Sequence, residues 1–186
     1  VYEAADAKLS ADGWIVGRKT MAEYGADVVE EKEPMEGHKT MQTNTFIGKR
    51  EGRPLAVVFD IQGRLHYKSP TLPSGEHIVA VLGSHVTRAY QKELEEIGVS
   101  YIMRTPGSKL EETQSALKHL EHDFNVKHML LEGGAITCGN FLQMGLVDEL
   151  SMIVYPGLDG ESDHPSVIEC QGVVEPLKKN RLELID

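Results

Sequence analysis

The run at residues 127–158, KHMLLEGGAITCGNFLQMGLVDELSMIVYPGL, constrains the fold most, because it reads without interruption as strand, glycine turn, short helix and second strand. Residues 128–131 form a short apolar run suited to a buried strand. Gly133 and Gly134 then remove two side chains where the backbone must turn sharply. Residues 135–145 carry Ile136, Phe141, Leu142 and Met144, dense enough for a short helix whose first N–H groups lie just after the glycines. Such a helix start can hold a phosphate, and Ala135 joins Gly133 and Gly134 as a candidate contact. A Gly-Gly pair alone also reads as an ordinary strand-to-helix turn. The spacing is not that of a GxGxxG dinucleotide fingerprint, since the next glycine is Gly139.

A second turn of the same kind lies near the start. GWIV at residues 13–16 is a buried-strand candidate that runs into Gly17, Arg18, Lys19 and Thr20. A flexible backbone, two cations and a hydroxyl at a helix opening all suit phosphate oxygens. The plainer alternative has Thr20 as a helix cap and the two charges solvated.

Between these turns, strand and helix alternate. LAVVF at residues 55–59 is nearly continuous apolar sequence, as expected for a strand covered on both faces. Asp60 stands at its carboxyl end, where ligands gather in open α/β sheets, so Asp60 and the turn Gln62, Gly63, Arg64 and Leu65 are candidate ligand neighbours. Asp60 as a turn cap is the competing reading. HIVAVLG at residues 77–83 is the next strand, followed by Ser84, a candidate helix cap or ribose and phosphate contact. Residues 86–97 read as an amphipathic helix ended by Gly98, residues 99–103 as a strand, and residues 110–124 as the clearest helix. His119 and His122 lie three apart on that helix without an evident third ligand, so no metal site is expected. Residues 26–53 are polar and interrupted by Pro34, Gly37, Gly48 and Gly52, which suggests a long excursion in which Lys49, Arg50 and Arg53 read as solvated charge or a substrate-phosphate contact. Weak helix is expected at residues 1–9, an interior strand at 150–158, a polar loop at 159–165 and weaker strand material at 166–186.

At 186 residues the chain suits a single domain. The alternation of elements predicts an α/β fold with a mainly parallel central sheet flanked by helices. A formal net charge of -10 argues against a nucleic-acid or anionic-membrane partner but leaves room for a small anionic ligand held by a few local donors. Two cysteines, Cys138 and Cys170, do not make a disulfide framework, so a reduced cytoplasmic setting is expected. No apolar run approaches the ~18 residues of a membrane span, and no signal-peptide pattern opens the chain. The opening Val1 and the closing RLELID suggest that the natural protein extends past one or both ends.

Taken together, VGRKTMAEYG, the Val-Val-x-Asp strand end with its Gly-Arg-Leu turn, and EGG followed by GNFLQMGLVDELSMIVYPGLDG resemble the reductase domain of riboflavin biosynthesis. That domain is the carboxyl-terminal half of a deaminase and reductase pair and has a dihydrofolate-reductase-like fold. The resemblance covers residues 11–160. It implies NADPH as cofactor, with Gly17, Arg18, Lys19, Thr20, Asp60, Ser84, Gly133, Gly134 and Ala135 bordering it. It also implies hydride transfer to the phosphoribosylaminopyrimidine of that pathway, and a homodimer. Glu132, between the buried strand and the glycine turn, is the candidate catalytic residue, to orient substrate or relay a proton; fixing the turn is its alternative role. The family's Asp-Pro is missing from residues 26–53, which keeps open a pterin or other heterocycle as substrate. A nucleotide-binding module without turnover is the third reading. No deaminase zinc signature is present in this stretch.

Overall fold

The computed structural model describes residues 9–25, 27–37, 45–154, 166–170 and 183. Five strands, β1 (Gly13–Gly17), β3 (Leu55–Phe59), β5 (His77–Leu82), β6 (Ser100–Met103) and β7 (Leu130–Gly133), form one sheet in the order β6-β5-β3-β1-β7. Every neighbouring pair is parallel. A separate ribbon pairs β2 (Val28–Glu30) with β4 (Leu65–Tyr67) antiparallel. Four helices complete the described elements: α1 (Arg18–Tyr24), α2 (Arg88–Ile97), α3 (Lys109–Phe124) and α4 (Ala135–Gln143).

The apolar runs are continuous because both sheet faces are covered, and the two-residue period of a strand divides each run between two cores. Val16, Ala56, Val58, Ile78, Ala80 and Leu82 face one core with Met21 of α1 and Tyr90 and Leu94 of α2. Ile15, Leu55, Val57, Val79, Val81 and Ile102 face the other, with Ala116, Leu120 and Phe124 of α3 and Phe141 of α4. This is the expected α/β arrangement of a mainly parallel sheet flanked by helices.

Local chemistry sets the helix ends. Ser108 and Glu111 form a reciprocal capping box at the start of α3, a device worth ~1 kcal/mol. Thr87 accepts from the Tyr90 N–H at the start of α2, so Thr87 takes the capping role that the sequence offered to Ser84. Gly98, at φ +89°, closes α2 in the left-handed region that glycine adopts most readily.

Three expectations need correction or limit. The polar stretch at residues 26–53 contains β2, where the β-branched Val28 and Val29 pair with β4. Residues 150–154 form no strand: Met152 is 63% and Val154 81% exposed. The remainder of the expected strand, the loop at 159–165, and most of the weak elements at 1–9 and 166–186 lie outside the described residues. Arg50 and Arg53 stand at the amino ends of the strands, where Arg50 donates to the Phe124 carbonyl at the end of α3 and Arg53 pairs with Glu51.

At that amino edge Asp12 joins three strands. Its backbone N–H donates to the His128 carbonyl at 2.8 Å and its carbonyl accepts from the Leu55 N–H at 3.0 Å. Its carboxylate accepts from the backbone N–H groups of Lys127 and His128 at 2.7 and 3.0 Å, which holds its pKa below the usual 3.8. A depressed carboxylate contributes stability above its unfolded pKa and loses it as pH falls below that value. Asp12→Asn is expected to lower stability at pH 7 by roughly 1 kcal/mol after allowance for solvent screening. The difference from the parent chain should shrink as urea unfolding is repeated downward from pH 3.8.

His77 gives the opposite case. It is fully buried, its Nε2 lies 2.7 Å from Ser100 Oγ, and that Oγ accepts from the Gly48 N–H. Burial, then the charges of Arg50 and Arg53, lowers its pKa from 6.5 to about 4. The unfolded chain binds a proton in that window and the folded one does not, so stability falls as pH drops from 6.5 to about 4 and levels off below. His77→Gln should remove a loss on the order of 1 kcal/mol between pH 7 and pH 5, discounted for screening and read by urea unfolding.

Candidate functional site

In a parallel sheet all strand carboxyl ends share one rim, and loops there collect the backbone N–H groups that open the following helices. Gly17, Phe59, Leu82, Met103 and Gly133 end the five strands. The rim therefore gathers Gly17 to Thr20 after β1, Asp60 after β3, Ser84 after β5, and Glu132 to Ala135 around the end of β7. At about 4.8 Å between strands, β7 and β5 are separated by roughly 14 Å, a gap that one extended dinucleotide can bridge.

The two glycine turns meet. β1 and β7 are neighbours, and Val16 pairs with Gly133. A Cβ placed on Gly17 would lie 2.4 Å from Thr137 Oγ1 and 3.9 Å from the Gly133 carbonyl oxygen; one on Gly134 would lie 3.3 Å from Thr20 Oγ1. Each turn thus packs against a threonine of the other. Gly133 is buried at φ +116°, and among the described residues nothing lies within 4 Å of the place its Cβ would take. The Gly133–Gly134 peptide is cis.

Four helices start on this rim, and they differ in how their first turns are completed. α2 and α3 are capped by Thr87 and Ser108. α1 and α4 open on Gly17 and Gly134, with no side chain bonded to the cap position. Among the described helices, the two whose cap residue makes no side-chain bond are those beside the meeting turns.

Glu132 occupies an irregular position. Ile15 pairs with Leu131 and Val16 with Gly133, so Glu132 is the extra residue of a bulge in the β1 and β7 ladder. Bulges re-aim side chains at the ends of sheets. Glu132 is half-buried, one residue before the turn.

The charged corner lies between β1 and β3. Arg18 and Arg64 both face Glu30 Oε1; Arg64 Nη2 is 3.2 Å from it. Partial burial, then the nearby Arg64 charge, lowers the Arg18 pKa, although a guanidinium stays charged at physiological pH. Asp60 is fully buried, and its Oδ2 accepts from the N–H groups of Arg64 and Leu65 at 2.7 and 2.9 Å. The Tyr90 hydroxyl lies 3.2 Å from the same oxygen and 2.5 Å from the Leu65 carbonyl oxygen. So placed, Asp60 acts on the rim by holding the Arg64 turn. Its charge and, above all, burial push the Tyr67 and Tyr90 phenols well up, keeping them neutral. Lys19 is exposed, while Thr20, Ser84 and Ala135 are half-buried.

Thr137 and Glu30 were not singled out by sequence reasoning. Thr137 sits one helical turn after Thr20's counterpart glycines and carries no motif of its own. Glu30 was legible only as part of an acidic cluster, although the Val28, Val29, Glu30 run could have been read as strand.

A protein-family model described as the RibD C-terminal domain matches residues 3–186. Among solved structures, a pyrimidine reductase-like protein from Corynebacterium diphtheriae is similar at 21% identity and a TM-score of 0.47. The match covers 78% of this chain and 61% of that one, so this chain spans less than two thirds of its length.

The positive φ at Gly133 gives a stability test. Gly133→Ala places a side chain in a left-handed backbone position and should cost about 1–2 kcal/mol in urea unfolding. Gly52→Ala, at φ +75° on an exposed turn away from the rim, should cost a similar amount. The pair separates backbone strain from effects on a ligand.

Proposed function

The chain belongs to the RibD C-terminal domain family, and from that premise we propose that it is an NADPH-dependent reductase acting on 5-amino-6-(5-phosphoribosylamino)uracil. The observation that carries this reading is the meeting of two glycine turns on adjacent parallel strands, each backed by a threonine of the other. The residues present fit a dinucleotide. No described atom fills the place of a Gly133 side chain, the helix starts at Gly17 and Gly134 lack side-chain caps, and Arg18 and Arg64 bring positive charge to the same edge.

When bound, NADPH supplies a hydride from its nicotinamide ring. The chain positions and neutralises: Gly133, Gly134, Ala135 and the hydroxyls of Thr20 and Thr137 would border the pyrophosphate, and Arg18 would bring positive charge to a phosphate at the neighbouring corner. Lys19 and Ser84 extend the polar rim on either side, and Asp60 positions Arg64. Reduction of the opened ribose carbon to a ribityl chain takes one hydride there and one proton on the adjoining heteroatom. The Glu132 carboxyl group is assigned that proton, from its place at the end of β7 beside the turn. A homodimer in the cytoplasm completes the proposal; the exposed apolar residues Leu150, Met152, Ile153 and Val154 support self-association.

Loss of NADPH absorbance with the ribosylaminopyrimidine tests the reaction. Glu132→Gln is expected to leave NADPH binding within about threefold and to lower turnover by roughly 10²-fold or more. Gly133→Ala should abolish NADPH-induced thermal stabilisation, while Gly52→Ala retains it. Turnover of a pterin in place of the pyrimidine would reassign the substrate. Stabilisation by NADPH without turnover of either would make the chain a binding module.

A further inference from the structure

We propose that Glu30 is a built-in competitor for an anionic ligand, its carboxylate standing between the guanidinium groups of Arg18 and Arg64 where a phosphate monoester of the ligand binds. This rests on the reading of the rim as a dinucleotide and substrate site. Arg18 follows β1 and Arg64 follows β3, so the two cations come from adjacent strand ends and share one oxygen, Glu30 Oε1. Two guanidinium groups brought together repel unless an anion lies between them, and this repulsion adds to the burial that is the main cause of the lowered Arg18 proton affinity.

The fork survives the departure of Glu30. Arg64 is fixed through its own backbone, whose N–H donates to Asp60 Oδ2 at 2.7 Å and whose carbonyl accepts from the Glu31 N–H at 2.9 Å. Its Nε donates to the Glu31 carbonyl at 2.7 Å, which leaves Nη2 directed at Glu30. The carboxylate, by contrast, stands at the end of a three-residue strand beside an open cleft of about 620 Å³ lined by Glu30, Glu31, Lys32, Glu33, Met35 and His66. It has room to move aside. A phosphate monoester carries more charge and three acceptor oxygens, so it takes the place of a single carboxylate between two guanidinium groups.

Glu30→Gln keeps the shape and removes the charge. Calorimetric titration of the parent chain and the variant with NADPH, NADH, ribose 5-phosphate, ribose and inorganic phosphate reads the effect. The variant is expected to bind the monoester-bearing ligand about three- to tenfold tighter, and Arg64→Gln in the same chain should cancel the gain. A gain with NADPH but not NADH assigns the monoester to the cofactor; a gain with ribose 5-phosphate but not ribose assigns it to the substrate. Affinities within twofold for all of these ligands, or weaker in the variant, overturn the proposal. Should Glu30→Gln not fold, Glu30→Asp withdraws the carboxylate by one methylene and must shift affinity in the same direction. If NADPH binds neither chain while inorganic phosphate binds the variant more tightly, Glu30 keeps its role and the dinucleotide reading falls.

Discussion

Parallel pairing of β1 with β3 on one side and β7 on the other decides where every rim residue stands. The ladder satisfies the backbone of β1 on both edges, which allows it to be buried and apolar on both faces. It also delivers Gly17 and Gly133 to adjacent strand ends although 116 positions separate them in sequence. The bulge then adjusts the final step. In a regular ladder Glu132 would stand opposite Val16; the extra residue puts Gly133 there and leaves the glutamate outside the alternation. A one-residue irregularity thus places bare backbone against the first turn and a carboxylate beside it.

Charge at the rim runs against charge on the chain as a whole. The net -10 describes a solvated surface, and at physiological ionic strength its field fades over a Debye length of about 8 Å. Arg18 and Arg64 act at contact distance, partly shielded from water, and both are paired with Glu30. Glu30 stands at this corner, and Glu31 and Glu33 line the cleft beside it. An anion at the turns therefore meets backbone N–H groups and hydroxyls, while one at the corner meets guanidinium groups already matched by a carboxylate.

The strands were legible because a sheet covered on both faces demands unbroken apolar runs, and LAVVF and HIVAVL have no other economical use in a chain this polar. The helices from Ser108 and toward Gly98 were legible for local reasons, a capping box and a left-handed terminator that act within a few residues. Both glycine turns could be read as motifs, but their meeting could not, because strand order is set by long-range packing that no window of sequence contains. Asp60 illustrates the same limit from the other side: its place at a strand end allowed both a ligand contact and a turn cap, and only the tertiary structure shows Oδ2 committed to the Arg64 and Leu65 N–H groups while the buried Oδ1 has no partner among the described residues. Ser84 was offered a cap because it follows the strand directly, yet α2 begins later, where Thr87 reaches the Tyr90 N–H. Residues 150–154 have the composition of a strand without its pairing among the described residues, so composition alone overstated them.

Helix capping divides the rim into a closed half and an open half. Over β5 and β6, Thr87 and Ser108 cap α2 and α3, and Arg104 is buried with Nη2 on Glu112 while its Nε has no hydrogen-bond partner among the described residues. Over β1 and β7 the helices open on glycine, and the nearest hydroxyls, Thr20 and Thr137, lie across the junction from each turn rather than on their own cap positions. The same physical rule, that unpaired helix N–H groups need a partner, is met by side-chain caps on one side and by no cap side chain on the other.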